Sequence, residues 1–253
     1  MVTIICCYTN ENMFKEFVLN SLSKQNKEYK LIGIDNREGI YKSASSAYNA
    51  VLPSIDTEYC VFLHQDIAFD QYDFLEQVEN FLRNNKNSIY GFCGMSNDGV
   101  VYSNLRYKQT DFYITAHQIS KDTLCESVDE CCFAISTRRL KLLGGFDEDI
   151  CDGWHLYAVE LSIRNYVKNG NCYISPLSIY HKADNIGGLE TDNSFLRSMR
   201  KICLKYKDKK KIYAPCYTCS TNLIARELRL LRSYVKNEIK VWKQNITHYI
   251  HRK

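Results

Sequence analysis

The N-terminal third of the chain alternates short apolar runs with amphipathic stretches, and this constrains the fold more than any other feature. VTIICCYT, YKLIGIDN, YCVFLHQDI and SIYGFCGMS have the length and apolar continuity of strands. Between them, NENMFKEFVLNSLSKQ, SASSAYNAVLPSI and FDQYDFLEQVENFLRNN read as helices. Asn10 or Asn12 caps the first, Pro53 stops the second, and Phe74, Val78, Phe81 and Leu82 share one face of the third. Strand and helix in alternation predict an α/β fold with a mostly parallel central sheet, right-handed crossovers and helices on both faces. After residue 98 the pattern loosens into shorter strands and loops, with a strand in ESVDECCFAISTRR and a helix in LYAVELSIRNYVKNG. Gly170 ends that helix as a C′ glycine, and NCYISPLSIYHK forms a late strand.

The third apolar run is unusual in where it ends. VFL passes straight into His64, Gln65 and Asp66. Polar groups at the carboxyl end of a buried parallel strand lie where open α/β sheets bind ligands. A solvated strand end would read the same way, so the rest of the chain must decide.

Composition removes several classes. No window approaches the ~20 apolar residues of a membrane-spanning helix. MVTIICCYTNE reads as a first strand, without the basic and small-residue features of a signal peptide. With that start, the 12 cysteines predict reduced thiols and a cytoplasmic protein. One CxxC, Cys216 and Cys219, without a second pair nearby does not make a zinc site. Neither a GxGxxG nor a P-loop occurs, which counts against dehydrogenases and kinases. There is no RNA- or DNA-binding motif, so no nucleic-acid partner is expected.

Charge divides the chain. Residues 197–253 hold 16 basic and 3 acidic residues, a net of +13, which leaves 17 basic and 26 acidic in residues 1–196, a net of −9. The split predicts a body over 1–196 and a basic, mainly helical extension over 197–253. From Ile224 the apolar residues Leu228, Leu231, Val235, Ile239, Trp242 and Ile246 recur every three or four positions, with Arg226, Arg229, Arg232, Lys236, Lys240 and Lys243 between them. Such a helix either lies on an anionic membrane, which would make the protein peripheral at the inner face of the cell membrane, or lays its apolar stripe on the acidic body.

Taken in order, TNE at 9–11, SLSKQ at 21–25, IDN at 34–36, SAYNAV at 46–51, FLHQDI at 62–67, VDECCFAISTRR at 128–139, GGFDED at 144–149 and WHLYAVELSIR at 154–164 resemble the family 2 inverting glycosyltransferases of the A-type, Rossmann-like fold. The likeness covers roughly residues 1–190 and is strongest to the subgroup named after a streptomycin-biosynthesis protein, whose metal motif resembles HQD. It implies transfer of a sugar from a nucleotide-sugar donor, UDP-sugar first, to a glycan or lipid-linked acceptor, in polysaccharide or cell-surface glycan synthesis. A diphosphate leaving group needs a divalent cation, such as Mn²⁺ or Mg²⁺, or positive side chains. Asp66 suits that cation as a carboxylate ligand, with His64 where the family's Asp-x-Asp has its first acid and His181 as a further ligand by resemblance. The resemblance also assigns Asp35, Thr9, Asn10 and Asn49 to the nucleotide, and Glu130, Trp154 and His155 to the acceptor.

Inverting transfer needs a carboxylate base. The usual position is Ala158 here, so Asp129 and Glu160 are the candidates, with Asp152 and His155 beside them in sequence. Glu160 also stands four residues before Arg164, the spacing of a helical ion pair. Two other readings follow: a catalytically silent, sugar-nucleotide-binding member of the same fold, which Ala158 favours, and a nucleotidyltransferase, which normally has a Gly-rich basic loop that TNENMFK lacks.

Overall fold

The computed structural model describes residues 1–182, 193–215 and 217–250, with side chains as far as residue 239 in the last helix. The apolar runs become β1 (Val2–Tyr8), β2 (Tyr29–Asp35), β3 (Tyr59–Leu63) and β5 (Ser88–Gly91), with the two-residue β4 (Ile67–Ala68) after β3. Between β1 and β2 lies one continuous helical stretch, α1 (Glu11–Phe14) and α2 (Asn20–Leu22) joined by a π-helical turn. Asn10 caps it, its side chain accepting from Met13 N at 3.1 Å. Helices α3 (Ala44–Val51) and α4 (Phe74–Asn84) follow β2 and β4, and α4 buries Phe74, Leu75, Val78 and Leu82. Phe81 is only half-buried and stacks on Tyr90 instead.

Beyond β5 run β6 (Cys93–Met95), β7 (Val101–Ser103), β8 (Leu105–Tyr107), β9 (Thr123–Cys125), β10 (Ser127–Val128) and β11 (Cys132–Ser136). Then come α5 (Thr137–Leu143), α6 (Tyr157–Val167), β12 (Asn171–Ile174), β13 (Ile179–His181), α7 (Asn193–Lys205), β14 (Lys211–Ala214), β15 (Tyr217–Ser220) and α8 (Leu223–Ile250).

The main sheet has seven strands in the order β2-β1-β3-β11-β5-β12-β9. Strands β1, β2, β3, β5 and β12 run one way; β11 and β9 run against them. The sheet is therefore mostly parallel, as expected, but β11 enters antiparallel between β3 and β5. Alternate residues feed opposite faces. Ile5, Phe62, Phe133 and Ile135 pack with α3 and α6, whereas Ile4, Cys6, Val61, Leu63 and Ala134 pack with α4 and the first helical stretch.

Three expectations are corrected. The late strand is two strands: β12 stays in the main sheet, and past Pro176 β13 joins a small sheet with β4 and β8. Gly170 is not the left-handed residue after α6; Asn169 is, at φ 58°. A Cβ at Gly170 would come within 2.4 Å of Asn87 O and Asn165 Oδ1, so close approach is what requires glycine there. The boundary at 196–197 cuts through α7, whose Phe195, Leu196, Met199, Ile202 and Cys203 share one core with Phe62 and Phe133, as do Ile212, Ala214 and Cys219. Apolar burial makes α7 and the β14–β15 hairpin part of the body, and only α8 remains as an extension.

Candidate functional site

Topology brings separate stretches to one end of β3. Leu63 pairs with Cys132, so the segment leading into antiparallel β11, Asp129 to Cys131, sits beside the exit of β3, and His64 N donates to Cys131 O at 2.9 Å. A tight turn, Ile67 N to His64 O at 3.2 Å, carries the chain into β4. There His181 of β13 is the register partner of Ile67, and Lys182 N donates to Asp66 O at 3.1 Å. This pairing delivers His181 to a carboxylate 115 positions earlier in the chain.

The result is a compact ligand set. One ligand atom from each of His64, Asp66 and His181 lies within 4.8 Å of the others. His181 Nε2 is 3.3 Å from Asp66 Oδ2, and all three residues are half-buried. Burial opposes the charge on Asp66, but the hydrogen bond and charge of His181 outweigh it and hold the carboxyl below its usual range. At His181 burial likewise opposes the charge, and Asp66 wins and raises the imidazole. Burial dominates at His64 and lowers it, against the pull of Asp66. Two imidazoles and a carboxylate in this space fit a divalent cation. Among the described residues this is the sole cluster of at least three such side chains.

Gln65, between the two ligands, faces the other way. Its Oε1 accepts from Thr9 N at 2.9 Å and Asn10 N at 2.8 Å, tying the loop after β1 to the turn after β3. Asp35 ends β2 beside this loop. Arg37 grips its carboxylate through Nε at 2.9 Å and Nη2 at 2.6 Å and holds it at about 2. Arg37 also reaches Glu11 at 2.8 Å. Thr9, Asn10 and Asp35 therefore line one end of the sheet together with the His-Asp-His set.

The acid pair is the third part. Asp129 is half-buried, accepts from Cys131 N at 2.9 Å, and its charge is felt at His64 and His181. Glu130 is 7% exposed, and burial, with the neighbouring Asp129 charge, pushes its carboxyl up to about 8. Its Oε1 accepts from Leu156 N at 2.8 Å, and His155 Nδ1 stands 3.8 Å from the same oxygen. Leu156 takes a left-handed conformation, φ 68°, that aims this N–H. Tyr157 then places its hydroxyl 3.4 Å from His64 Nε2 and 3.2 Å from Glu130 O. Trp154 is exposed on the same loop.

Two expected residues are elsewhere. Asn49 brackets the turn after α5: its Nδ2 donates to Phe146 O at 2.8 Å and Glu148 Oε1 at 2.7 Å, and its Oδ1 accepts from Phe146 N at 2.9 Å. Both N–H groups and the carbonyl are thus engaged by the scaffold. Glu160 is fully buried and held by Arg164 Nη2, Lys205 Nζ and Tyr206 Oη, each at 2.7 Å. A carboxylate saturated by donors is no base for an incoming hydroxyl. Asp152 pairs with Arg197 and Lys201, and Ala158 is buried in the core. Of the CxxC, Cys216 lies outside the described residues and Cys219 is buried. Sequence reasoning missed the tyrosine hydroxyl, the Leu156 turn and the Gln65 clamp, although all three stood inside stretches already singled out, FLHQDI and WHLYAVELSIR.

The mostly parallel central sheet flanked by helices is the fold of A-type glycosyltransferases. Residues 3–185 match the profile of the family described as Glycosyltransferase like family, and the chain belongs to it. Among solved structures it is similar to GalNAc-T7 with UDP, GalNAc and Mn²⁺, at 10% identity over 79% of this chain and 47% of that one, TM-score 0.57. It is similar to residues 1–349 of S. aureus TarS, at 12% identity over 81% and 64%, TM-score 0.55. A third is the mannosyltransferase PcManGT from Pyrobaculum calidifontis with GDP-Man and Mn²⁺, at 14% identity over 83% and 65%, TM-score 0.54. At such identities the likeness is one of fold, and the chain spans between about half and two-thirds of those structures. No curated protein sequence matches it significantly.

Proposed function

We propose that this chain transfers a sugar, with inversion, from a nucleotide-sugar donor to a glycan or lipid-linked acceptor in polysaccharide or cell-surface glycan assembly. UDP-sugar is the preferred donor; the solved structures named above carry UDP in one case and GDP-Man in another. The observation that carries the reading is the convergence of His64, Asp66 and His181 at the sheet edge. These residues would hold Mn²⁺ or Mg²⁺, with HQD in the place of Asp-x-Asp as in the streptomycin-type subgroup. Such an ion would supply positive charge for the departing diphosphate.

The chain's own residues do the rest. Thr9, Asn10 and Asp35, fixed by Gln65 and Arg37, face the nucleoside. Asp129 takes the proton from the acceptor hydroxyl as it attacks the anomeric carbon; of the two base candidates it is the one at this edge. Glu130 positions His155 and the Leu156 turn, and with Trp154 these face the acceptor. Because Ala158 is buried at the position where relatives carry the base, a silent nucleotide-binding protein is the second reading. Donor hydrolysis and transfer separate the two: Asp129→Asn slows turnover while sparing donor binding if Asp129 is the base, and a wild type that binds but never turns over favours the silent reading.

Calorimetric titration of UDP with and without Mn²⁺ tests the site. Loss of an outer partner costs a metal site ~10- to 100-fold, so Asp66→Asn should weaken Mn²⁺-dependent UDP binding at least about a hundredfold while the protein stays folded. Unchanged affinity in the variant would sink the assignment.

A further inference from the structure

Helix α8 presents its apolar stripe away from the body. Ile224, Leu228, Leu231, Val235 and Ile239 are between 47% and 72% exposed, whereas Arg226 and Leu230 are 4% and 6% exposed. The side facing the body carries Arg226, Leu230 and Ser233, and Tyr217 Oη meets Ser233 Oγ at 2.9 Å. At ~100° per residue the apolar stripe lies about 170° around the helix from that side. The packing of this stripe on the acidic body, one of the two readings of the sequence, is therefore not what the structure contains. Among the described residues, nothing covers it.

Charge is distributed to match. Four basic residues of α7 and the following loop are spent on the body: Arg197 and Lys201 on Asp152, Lys205 on Asp147 and Glu160, Lys209 on Glu126. Arg200 and Arg226 pair with Glu227. Arg229 lies over the Tyr217 ring, and Arg232 and Lys236 have no acidic partner among the described residues. Arg229, Arg232 and Lys236 form a row about 95° from the apolar stripe. Lys240, Lys243, Trp242 and Ile246 continue both registers in the sequence, their side chains outside the described residues.

We propose that α8 lies flat on an anionic lipid surface, with Ile224, Leu228, Leu231, Val235 and Ile239 entering the headgroup–acyl boundary and Arg232 and Lys236 reaching lipid phosphates. A contiguous apolar face flanked by cations is what such a surface binds. No described helix is long and apolar enough to cross a membrane, so the helix lies along the surface. A second copy of the chain fits poorly, because pairing through this face would bring together two helices that each hold six Lys/Arg against two Glu over 223–250, a net of +4 each. The proposal stands apart from the transferase reading, since vesicle binding needs neither nucleotide nor metal.

Sedimentation of the full chain with phosphatidylcholine vesicles, with and without phosphatidylglycerol, tests it. Binding should require the anionic lipid and weaken with salt as charges are screened beyond ~8 Å. The triple variant Leu228→Asp, Leu231→Asp, Val235→Asp should bind at least about tenfold more weakly with an unchanged melting temperature. Arg232→Gln and Lys236→Gln should each cost roughly fivefold at low salt. Absence of binding at low salt, equal binding by the triple variant, or unfolding of that variant overturns the proposal. So does a dimer, seen by sizing, that the triple variant splits.

Discussion

Two carboxylates near the same sheet, one buried and one half-buried, sit in opposite surroundings. Glu160 is enclosed by donors: a guanidinium, an ammonium and a phenol, each at 2.7 Å. Asp66 meets one imidazole at 3.3 Å, with a second imidazole, held neutral by burial, close by. Buried charge must be paired, and Glu160 is fully paired by the protein itself, which makes it a scaffold that pins α7 to α6. Asp66 keeps company with imidazoles, which present lone pairs once they give up a proton. Several lone pairs aimed into one space suit a cation. The same residue type, an acid beside a basic side chain, therefore serves structure in one place and is suited to chemistry in the other, and the number of donors around it separates the two.

Breaking the saturated cluster should have the largest effect. Glu160→Gln leaves the largely buried Arg164 without its carboxylate, while Lys205 keeps Asp147, and should cost about 3–5 kcal/mol in chemical denaturation. At a temperature where the variant is folded, Mn²⁺-dependent UDP binding should be unchanged. A loss of binding without a loss of stability would reverse the roles assigned to the two acids.

Glu130 tests an intermediate case, a buried acid with few donors. Its carboxyl titrates at about 8 in the folded chain against 4.5 as its ordinary value, so the folded state holds a proton that the unfolded state releases between those limits. Stability from this group is full below the lower value and falls by ~1.4 kcal/mol per pH unit until pH passes the upper one. Melting temperatures of Glu130→Gln should therefore decline less than those of the wild type across that window. Parallel curves would show that Glu130 does not titrate in that window.

The smallest effect is expected at His181. Replacing it with alanine leaves Asp66 and His64 in place, so Mn²⁺-dependent UDP affinity should drop roughly tenfold, less than for Asp66→Asn. Because Asp66 raises His181, the imidazole keeps its proton to a higher pH than usual, and wild-type affinity should weaken as pH falls. That dependence should be shallower in His181→Ala. A steep dependence in the variant would place the titrating group elsewhere.

Local patterning determined much of this protein. The strands β1, β2, β3 and β5, the helices between them and the polar end of β3 follow from apolar runs and caps within a few residues, which chain stereochemistry and burial dictate locally. His64 and Asp66 were legible for the same reason, standing at the end of a strand whose own residues announce it. Tertiary structure alone decided the rest. Nothing near Cys132 says that β11 enters antiparallel between β3 and β5, yet that choice sets Asp129 and Glu130 beside His64. Glu160 and Asn49 looked like site residues because a motif records which side chains are present, not which partners fold around them. The amphipathic period of α8 was plain in the chain, but a period leaves open which side meets the body. Packing of Leu230, Arg226 and Ser233 on the hairpin settled that, because a helix can bury only one side at a time against a single surface, and here the apolar stripe is on the other.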